Sequence, residues 1–301
     1  MQVILLGTGA GGGVPQWNCG CINCRAARAQ GRGRTQSCVA VSADGERWVL
    51  LNASPDLREQ LAAHAPLWPA AVRESRVRAV VLTDGEIDHT LGLMLLREGT
   101  SRLPVYAPTG VAELLAGHWP LARVLEPYSG IDLRLLPERR AAALQDAEGQ
   151  ALGLSCSAVA LARRPPRYAA SAAGDVFEVG LRLQDQATGG VFAYVPVAAA
   201  VDDDVCALAA GADLLCFDGT FWSDDELHEL GVEAPRARAM GHVPLGGPDG
   251  SLGRLPGIGA KRVVLVHINN TNPILRPDSP ERAQITAAGV EIGEDGMRFT
   301  L

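Results

Sequence analysis

Short apolar runs recur along the chain, at Val3–Leu6, Val39–Ser42, Trp48–Leu51, Val77–Leu82, Val105–Ala107, Leu181–Leu183, Val191–Val195, Leu214–Phe217 and Val263–His267. They are β-rich and bounded by turn-forming residues, so they read as strands. Between them, Leu57–Ala63, His89–Arg97, Val111–Leu115, Asp202–Ala210 and Arg282–Ala288 carry the mixed spacing of helices. Asp202-Asp203-Asp204 fits an acidic first turn that complements the helix dipole. Strands alternating with helices predict a layered α/β fold. The runs at 39–42 and 48–51 are joined through Asp44-Gly45 and predict a hairpin, which excludes a purely parallel sheet. Mixed sheets with helices packed outside are therefore expected. The stretch from about 138 to 175 is rich in Ala, Arg and Pro with little periodicity. It is expected to be an irregular insertion, a candidate cover for an active site.

Composition narrows the classes. The chain has 301 residues, 47% hydrophobic, enough for one large core, and a single domain over 1–301 is expected. A net charge of -7 argues against general nucleic-acid binding. The first apolar run is too short for a signal peptide, and no run is long enough to span a bilayer. A cytoplasmic protein without membrane insertion is the expectation. The seven cysteines fit a reducing compartment, with Cys38, Cys156, Cys206 and Cys216 expected as buried thiols.

The other three cysteines are clustered. Cys19, Cys21 and Cys24 sit in one loop, about residues 17–25, and thiolates at that spacing suit a structural Zn2+. The fourth ligand is open between Asn270, a histidine, Cys38 and a partner chain. A redox C-x-x-C should open a helix, and no helix is expected at this point. Gly7 to Gly12 matches G-x-G-x-x-G, but a dinucleotide site needs a helix next and an acid about 20 positions on, whereas the first acid is Asp44. These glycines are read as turn residues at a strand end.

Polar residues gather at the ends of three apolar strands. Val77–Leu82 runs into Thr83-Asp84-Gly85-Glu86-Ile87-Asp88-His89, Leu214–Phe217 into Asp218-Gly219-Thr220, and Val263–Val266 into His267. His242 follows Met240-Gly241 in a loop. Turn and cap chemistry explains the aspartates singly. Three strands ending in Asp or His favour a converging metal site, because α/β folds place sites at strand carboxyl ends.

These positions resemble the metallo-β-lactamase superfamily. Its motif H-x-H-x-D-H follows a strand, then come a bridging Asp and a last His. Here the motif reads Asp84, Glu86, Asp88, His89, with Asp218 and His267 at the later positions. Both leading histidines are carboxylates, while the D-H pair stays. The segments Gly9–Cys24, Arg34–Ser37, Asn52–Asp56, Ile87–Thr90, Asp218–Trp222, Met240–His242 and His267–Ile274 resemble the branch that acts in pyrroloquinoline quinone (PQQ) biosynthesis. The resemblance implies an αββα sandwich of two mixed β-sheets flanked by helices, and a zinc loop linked to homodimerisation. It implies work on a cross-linked Glu-Tyr precursor beside other PQQ biosynthesis proteins. Two activities come with it: transport of PQQ or its precursor to the periplasm, and iron-dependent hydroxylation of the tyrosine ring.

The residues bear on that choice. Asp84 and Glu86 do not reproduce the imidazole shell of a dinuclear zinc hydrolase. Asp88, His89 and His267 form the two-histidine, one-carboxylate set that suits Fe2+, with Mn2+, Mg2+ or Zn2+ as alternatives. Asp218 is a fourth ligand or an orienter of an imidazole. Asp84, Glu86 and His242 are the catalytic candidates, with Glu86 able to reach the metal or act as a base and His242 placed as proton donor or substrate contact. Arg34 is the candidate for gripping substrate carboxylates, while Arg28 and Arg32 read as a solvated helix face. A non-haem Fe2+ hydroxylase is the leading expectation, with a carrier and a metal-dependent hydrolase as alternatives.

Overall fold

The computed structural model describes residues 1–162, 164–172 and 174–301. The strands are β1 (Gln2–Gly7), β2 (Cys38–Ser42), β3 (Trp48–Leu51), β4 (Val77–Val81), β5 (Leu103–Ala107), β6 (Ile131–Leu135), β7 (Ala142–Gln145), β8 (Ala151–Ala162), β9 (Glu178–Asp185), β10 (Val191–Val195), β11 (Leu214–Asp218), β12 (Val263–Val266), β13 (Glu291–Ile292) and β14 (Arg298–Thr300). The helices are α1 (Ile22–Gln30), α2 (Leu57–Ala63), α3 (Ile87–Thr90), α4 (Thr109–Ala116), α5 (Leu121–Leu125), α6 (Asp203–Ala209), α7 (Glu226–Glu229) and α8 (Pro280–Ala287). One seven-stranded sheet has the order β14-β1-β2-β3-β4-β5-β6 and a second the order β13-β12-β11-β10-β9-β8-β7. Both are mixed: β2–β3 and β7–β8–β9 pair antiparallel, β3 to β6 and β10 to β13 parallel.

The chain folds as two compact units. The first holds Met1–Leu6, Cys38–Val191 and Gly296–Leu301, and the second holds Gly7–Ser37 and Phe192–Asp295. In the first unit, Trp48, Leu50, Val80, Leu82 and Val105 alternate along their strands. They pack with Leu57, Val111, Leu115, Leu121 and Leu125 from α2, α4 and α5. The residues between them, such as Val49, Leu51, Ala79 and Val81, are buried too, so these strands read as continuous apolar runs. In the second unit, β11 and β12 are buried along their whole length. Asp202 caps α6 by accepting the Val205 N–H at 3.0 Å, and Asp203 and Asp204 occupy its first turn as expected.

Three expectations need correction. The stretch 138–175 is not irregular throughout: it carries β7 and the twelve-residue β8. Small residues hid β8, yet Leu152, Leu154, Cys156 and Ala158 face inward at period two. Positions 163 and 173 of that stretch lie outside the described residues. Second, a helix does follow the cysteine loop, since α1 begins at Ile22 with Cys21 as its N-cap. Only Asn23 and Cys24 of α1 are buried, so no apolar stripe announced it. Third, Cys206 is half-buried, while Cys38, Cys156 and Cys216 are buried.

Candidate metal centres

The first unit builds one imidazole site at the end of β4. Asn52 follows β3 in the left-handed region, φ 63°, which Asn tolerates. Its Oδ1 accepts the Thr83 N–H at 2.9 Å and its Nδ2 donates to Thr83 Oγ1 at 2.9 Å, locking the end of β4. Thr83 Oγ1 donates to Asp84 Oδ2 at 2.8 Å, and the Glu86 N–H donates to Asp84 Oδ1 at 2.9 Å. His89 Nδ1 lies 2.8 and 2.7 Å from the two Asp84 oxygens. A carboxylate only accepts, so Nδ1 carries the proton and Nε2 the lone pair in the neutral ring. Asp88 Oδ2 is 3.8 Å from Nε2. Burial alone lowers the His89 pKa, but the Asp84 carboxylate outweighs it and raises the value to about 9. Burial pushes Asp84 up, and His89 pulls it below its ordinary value. Asp84 thus orients His89 rather than presenting a bare carboxylate. Glu86 is exposed at the N-terminus of α3. The 138–175 stretch does reach this loop, where the Tyr168 hydroxyl donates to the Gly85 carbonyl at 2.6 Å.

The second unit repeats the device. Ligand atoms of Asp218, His242 and His267 all lie within 4.8 Å of one another, and all three residues are buried. Asp218 Oδ2 accepts the Ala198 N–H at 2.9 Å and lies 2.8 Å from His242 Nδ1. Asp218 Oδ1 accepts the Thr220 N–H at 2.9 Å and the Thr220 hydroxyl at 2.6 Å. These four bonds use the carboxylate's acceptor capacity. With its proton on the charged acceptor, Thr220 Oγ1 accepts from His267 Nδ1 at 2.8 Å. Both imidazoles therefore hold Nδ1–H and keep the lone pair on Nε2, the arrangement that prepares metal-binding histidines. The rings stack at 5.3 Å between centroids, inclined by 24°. Burial raises the Asp218 pKa, but His242, His267 and Thr220 outweigh it and hold the group below the ordinary carboxylate range. His267 sits at φ 55°, a strained conformation for a residue with a Cβ. Gly219 sits tightly beside it: its N–H donates to the Val266 carbonyl at 2.8 Å, and a Cβ there would lie 3.0 Å from both that oxygen and Leu265 Cβ, so a larger residue would push its neighbours aside.

The cysteines form a second cluster in this unit. The Sγ atoms of Cys19, Cys21 and Cys24 lie within 4.8 Å of one another. Backbone N–H groups point at all three: Cys21 N at Cys19 Sγ (3.4 Å), Cys24 N at Cys21 Sγ (3.5 Å) and Gln16 N at Cys24 Sγ (3.3 Å). Asn270 Nδ2 adds contacts of 3.3 Å to Cys24 Sγ and 3.6 Å to Cys21 Sγ. Arg28 braces the loop through the Cys19 and Gln16 carbonyls, both at 2.7 Å, so it is more than a solvated face residue. Burial pushes the Cys24 thiol up to about 11, while hydrogen bonds outweigh burial at Cys21 and lower its pKa. A bound cation would relieve the cost of holding these sulfurs as thiolates together.

Among the expected site residues, the structure groups Asp84, Glu86, Asp88 and His89 in one unit. It groups Asp218 with His242 and His267, and the three cysteines with one another, in the second. Arg34 belongs to the second unit and is mostly buried, its Nη1 donating to Thr8 Oγ1 at 2.8 Å and to the Gly293 carbonyl. Sequence reasoning passed over Asn52, Thr83, Thr220 and Tyr168. Asn52 and Thr220 lie inside segments that carry the family resemblance, but a hydroxyl two residues after an aspartate announces no role until the fold closes.

Residues 47–268 match the model of the Beta-lactamase superfamily domain. Over the full length of both proteins, the chain is 42% identical to coenzyme PQQ synthesis protein B of Methylococcus capsulatus. It is 44% identical to that of Cupriavidus taiwanensis, covering 99% of this chain and 98% of the relative. The chain belongs to the coenzyme PQQ synthesis protein B family. Zn2+-bound PqqB from Methylobacterium extorquens superposes with a TM-score of 0.89 at 38% identity, covering all of both chains. A diphosphatase from the PhnP family shares the fold at 22% identity and a TM-score of 0.69, with all of this chain and 97% of that one covered. The family carries the metallo-β-lactamase fold, with the two mixed sheets flanked by helices that the sequence led us to expect. Among the described residues, no helix is long and apolar enough to cross a membrane.

Proposed function

We propose that the chain works in PQQ biosynthesis as a metal-dependent enzyme, specifically an iron-dependent hydroxylase of the tyrosine ring in the cross-linked Glu-Tyr precursor. Family membership supports the pathway. The observation that supports metal chemistry is the set of buried imidazoles whose Nδ1 protons are committed to Asp84, Asp218 and Thr220. That donor set fits a divalent ion bound through Nε2. By motif position, Asp88, His89, Asp218 and His267 are the proposed ligand residues. The saturated hydrogen bonding of Asp218 favours its orienting role, and His242 joins the residues able to ligate. When bound, Fe2+ would supply the redox chemistry of an aromatic hydroxylation in which one atom of O2 enters the ring and an external two-electron reductant takes the other to water.

The chain's own residues do the rest. Asp84 and Asp218 fix ring orientation and stabilise positive charge on the imidazoles. Glu86, exposed beside Asp84, is the proposed base that takes the proton from the ring, and His242 is the proton donor or substrate contact when it does not ligate. Arg34 is the proposed contact for a substrate carboxylate. Zinc is assigned to the Cys19, Cys21 and Cys24 loop, in keeping with the zinc-bound relative and the softness of thiolates. Homodimerisation belongs to the same reading: Trp17 and Ile22, beside the loop, are 86% and 54% exposed. The proposed compartment is the cytoplasm.

The test loads the protein with Fe2+ without oxygen, adds precursor, a two-electron reductant such as ascorbate and then O2, and reads the product by mass spectrometry. Oxygen incorporated by the native chain and lost in His89→Ala, with the fold intact by circular dichroism, is the expected result. Unchanged precursor that binds tightly with or without metal would replace the enzyme by a carrier.

A further inference from the structure

One short stretch of chain, residues 267–272, joins the cysteine loop to the imidazoles of the second unit. It begins at His267 and ends at the turn that α1 grips. Asn23 is 5% exposed and lies next to Cys24 in the first turn of α1. Its Nδ2 donates to the Asn270 and Asn272 carbonyls, both at 2.9 Å. The Asn270 side chain meets the Cys21 and Cys24 sulfurs. Asn272, fully buried, reaches the loop after β11 instead. Its Nδ2 donates to the Gly219 carbonyl at 2.9 Å and the Thr220 carbonyl at 3.2 Å, and its Oδ1 accepts the Ile274 N–H at 3.0 Å. The Asn269 N–H also donates to the Thr220 carbonyl, at 3.1 Å. The backbone of Thr220 is thus held from this stretch, while its hydroxyl serves Asp218 and His267.

The route transmits displacement because its members are buried and committed. Asn272 spends both ends of its amide and its carbonyl on interior partners, so a shift of the turn leaves a polar group unpaired, which is costly. His267 is the sensitive end: its left-handed backbone persists only where its surroundings enforce it. The cysteine loop is the adjustable end. Contacts of 3.3 to 3.6 Å from N–H groups to its sulfurs are weak, and an ion bonded to all three sulfurs fixes the loop and, through Asn23, the turn. Ile268 is held separately, its N–H on the Thr8 carbonyl at 2.9 Å and its carbonyl on the Ala10 N–H at 3.0 Å. The route therefore adjusts the imidazole site rather than creating it.

We propose that Asn23 and Asn272 are positioning residues that couple the two sites, so that an ion in the cysteine loop raises the divalent-metal affinity of the Asp218, His242 and His267 site. The inference rests on the assignment of metal to both sites, but not on iron or oxygen chemistry. Such coupling is reciprocal: an ion at the imidazoles raises the affinity of the loop by the same factor.

The test follows Mn2+ binding to the full-length protein through the electron paramagnetic resonance of the free ion. Mn2+ suits carboxylate-containing sites and leaves thiolates to zinc. With one equivalent of Zn2+ in place, Mn2+ is expected to bind about tenfold more tightly than after the zinc is stripped. His267→Asn, chosen because Asn tolerates the left-handed backbone, should weaken Mn2+ in both states. Asn23→Leu should keep its zinc yet bind Mn2+ at the stripped level whether zinc is present or not. The reciprocal measurement needs no variant: saturating Mn2+ should tighten zinc against a chelating dye by the same factor. Equal Mn2+ affinity with and without zinc would overturn the proposal. So would a zinc response that survives in Asn23→Leu, or Mn2+ affinity unmoved by His267→Asn. No Mn2+ binding at all would overturn the metal assignment and the coupling together. A failed hydroxylation assay with the zinc response intact would sink the oxygenase reading and leave the coupling standing.

Discussion

At the scale of the residue, the chemistry of this chain lies in which imidazole nitrogen is available. An isolated histidine populates both tautomers, and a metal needs one of them. Asp84 selects it for His89, Asp218 for His242, and Thr220 relays the same choice to His267. Thr220 is therefore a positioning residue. Thr220→Val keeps the shape but leaves the His267 Nδ1–H facing a methyl group. We expect metal affinity to fall about 10–100-fold, read by competition with a chelating dye, while Thr220→Ser restores it. A purely structural role would lower stability without that split. This choice was invisible in the sequence, because nothing there says which hydroxyl meets which ring.

At the scale of the element, packing decided where the expected helix from His89 to Arg97 stops. α3 ends at Thr90 and the chain continues as a 3-10 turn over Leu91–Leu96. The cause is the His89 carbonyl, which a continuing α-helix would offer to residue 93 and which instead accepts the Ala53 N–H at 2.7 Å. Gly92 lets the backbones meet: its N–H donates to the Ala53 carbonyl at 2.9 Å, and a Cβ would lie 2.3 Å from the Ser54 carbonyl. Gly92→Ala should cost about 1–3 kcal/mol in denaturant unfolding, and a neutral outcome would mean the turn can move aside. The strands that are apolar on both faces were easier to read than this turn, whereas α1, β6, β7, β8, β13 and β14, short or built with small or polar residues, escaped notice.

At the scale of the whole molecule, the cysteine loop ties the start of α1 to the 270–272 turn through Asn23 and Asn270, and a bound ion would add its binding energy to that connection. If the loop holds the proposed ion, stripping it should lower the thermal midpoint, by the equivalent of about 4 kcal/mol for an ion at a thousandfold excess over its dissociation constant. Cys21→Ser with Cys24→Ser should reproduce the loss and make it insensitive to chelator, while His242→Ala should move the midpoint far less; scanning calorimetry separates the cases. The sequence by itself determined the strand and helix alternation, the thiol cluster, the Asp and His residues at strand ends and the family. Each of these is set by residues near one another in the chain or by their pattern along it. Only the tertiary structure decided that Asp84 and Asp218 are spent on orienting imidazoles and that Thr220 completes the relay 47 residues from His267. The physical reason is that a hydrogen bond or a shared charge belongs to positions in space, and a polar side chain does not specify its partner until the backbone has closed around it.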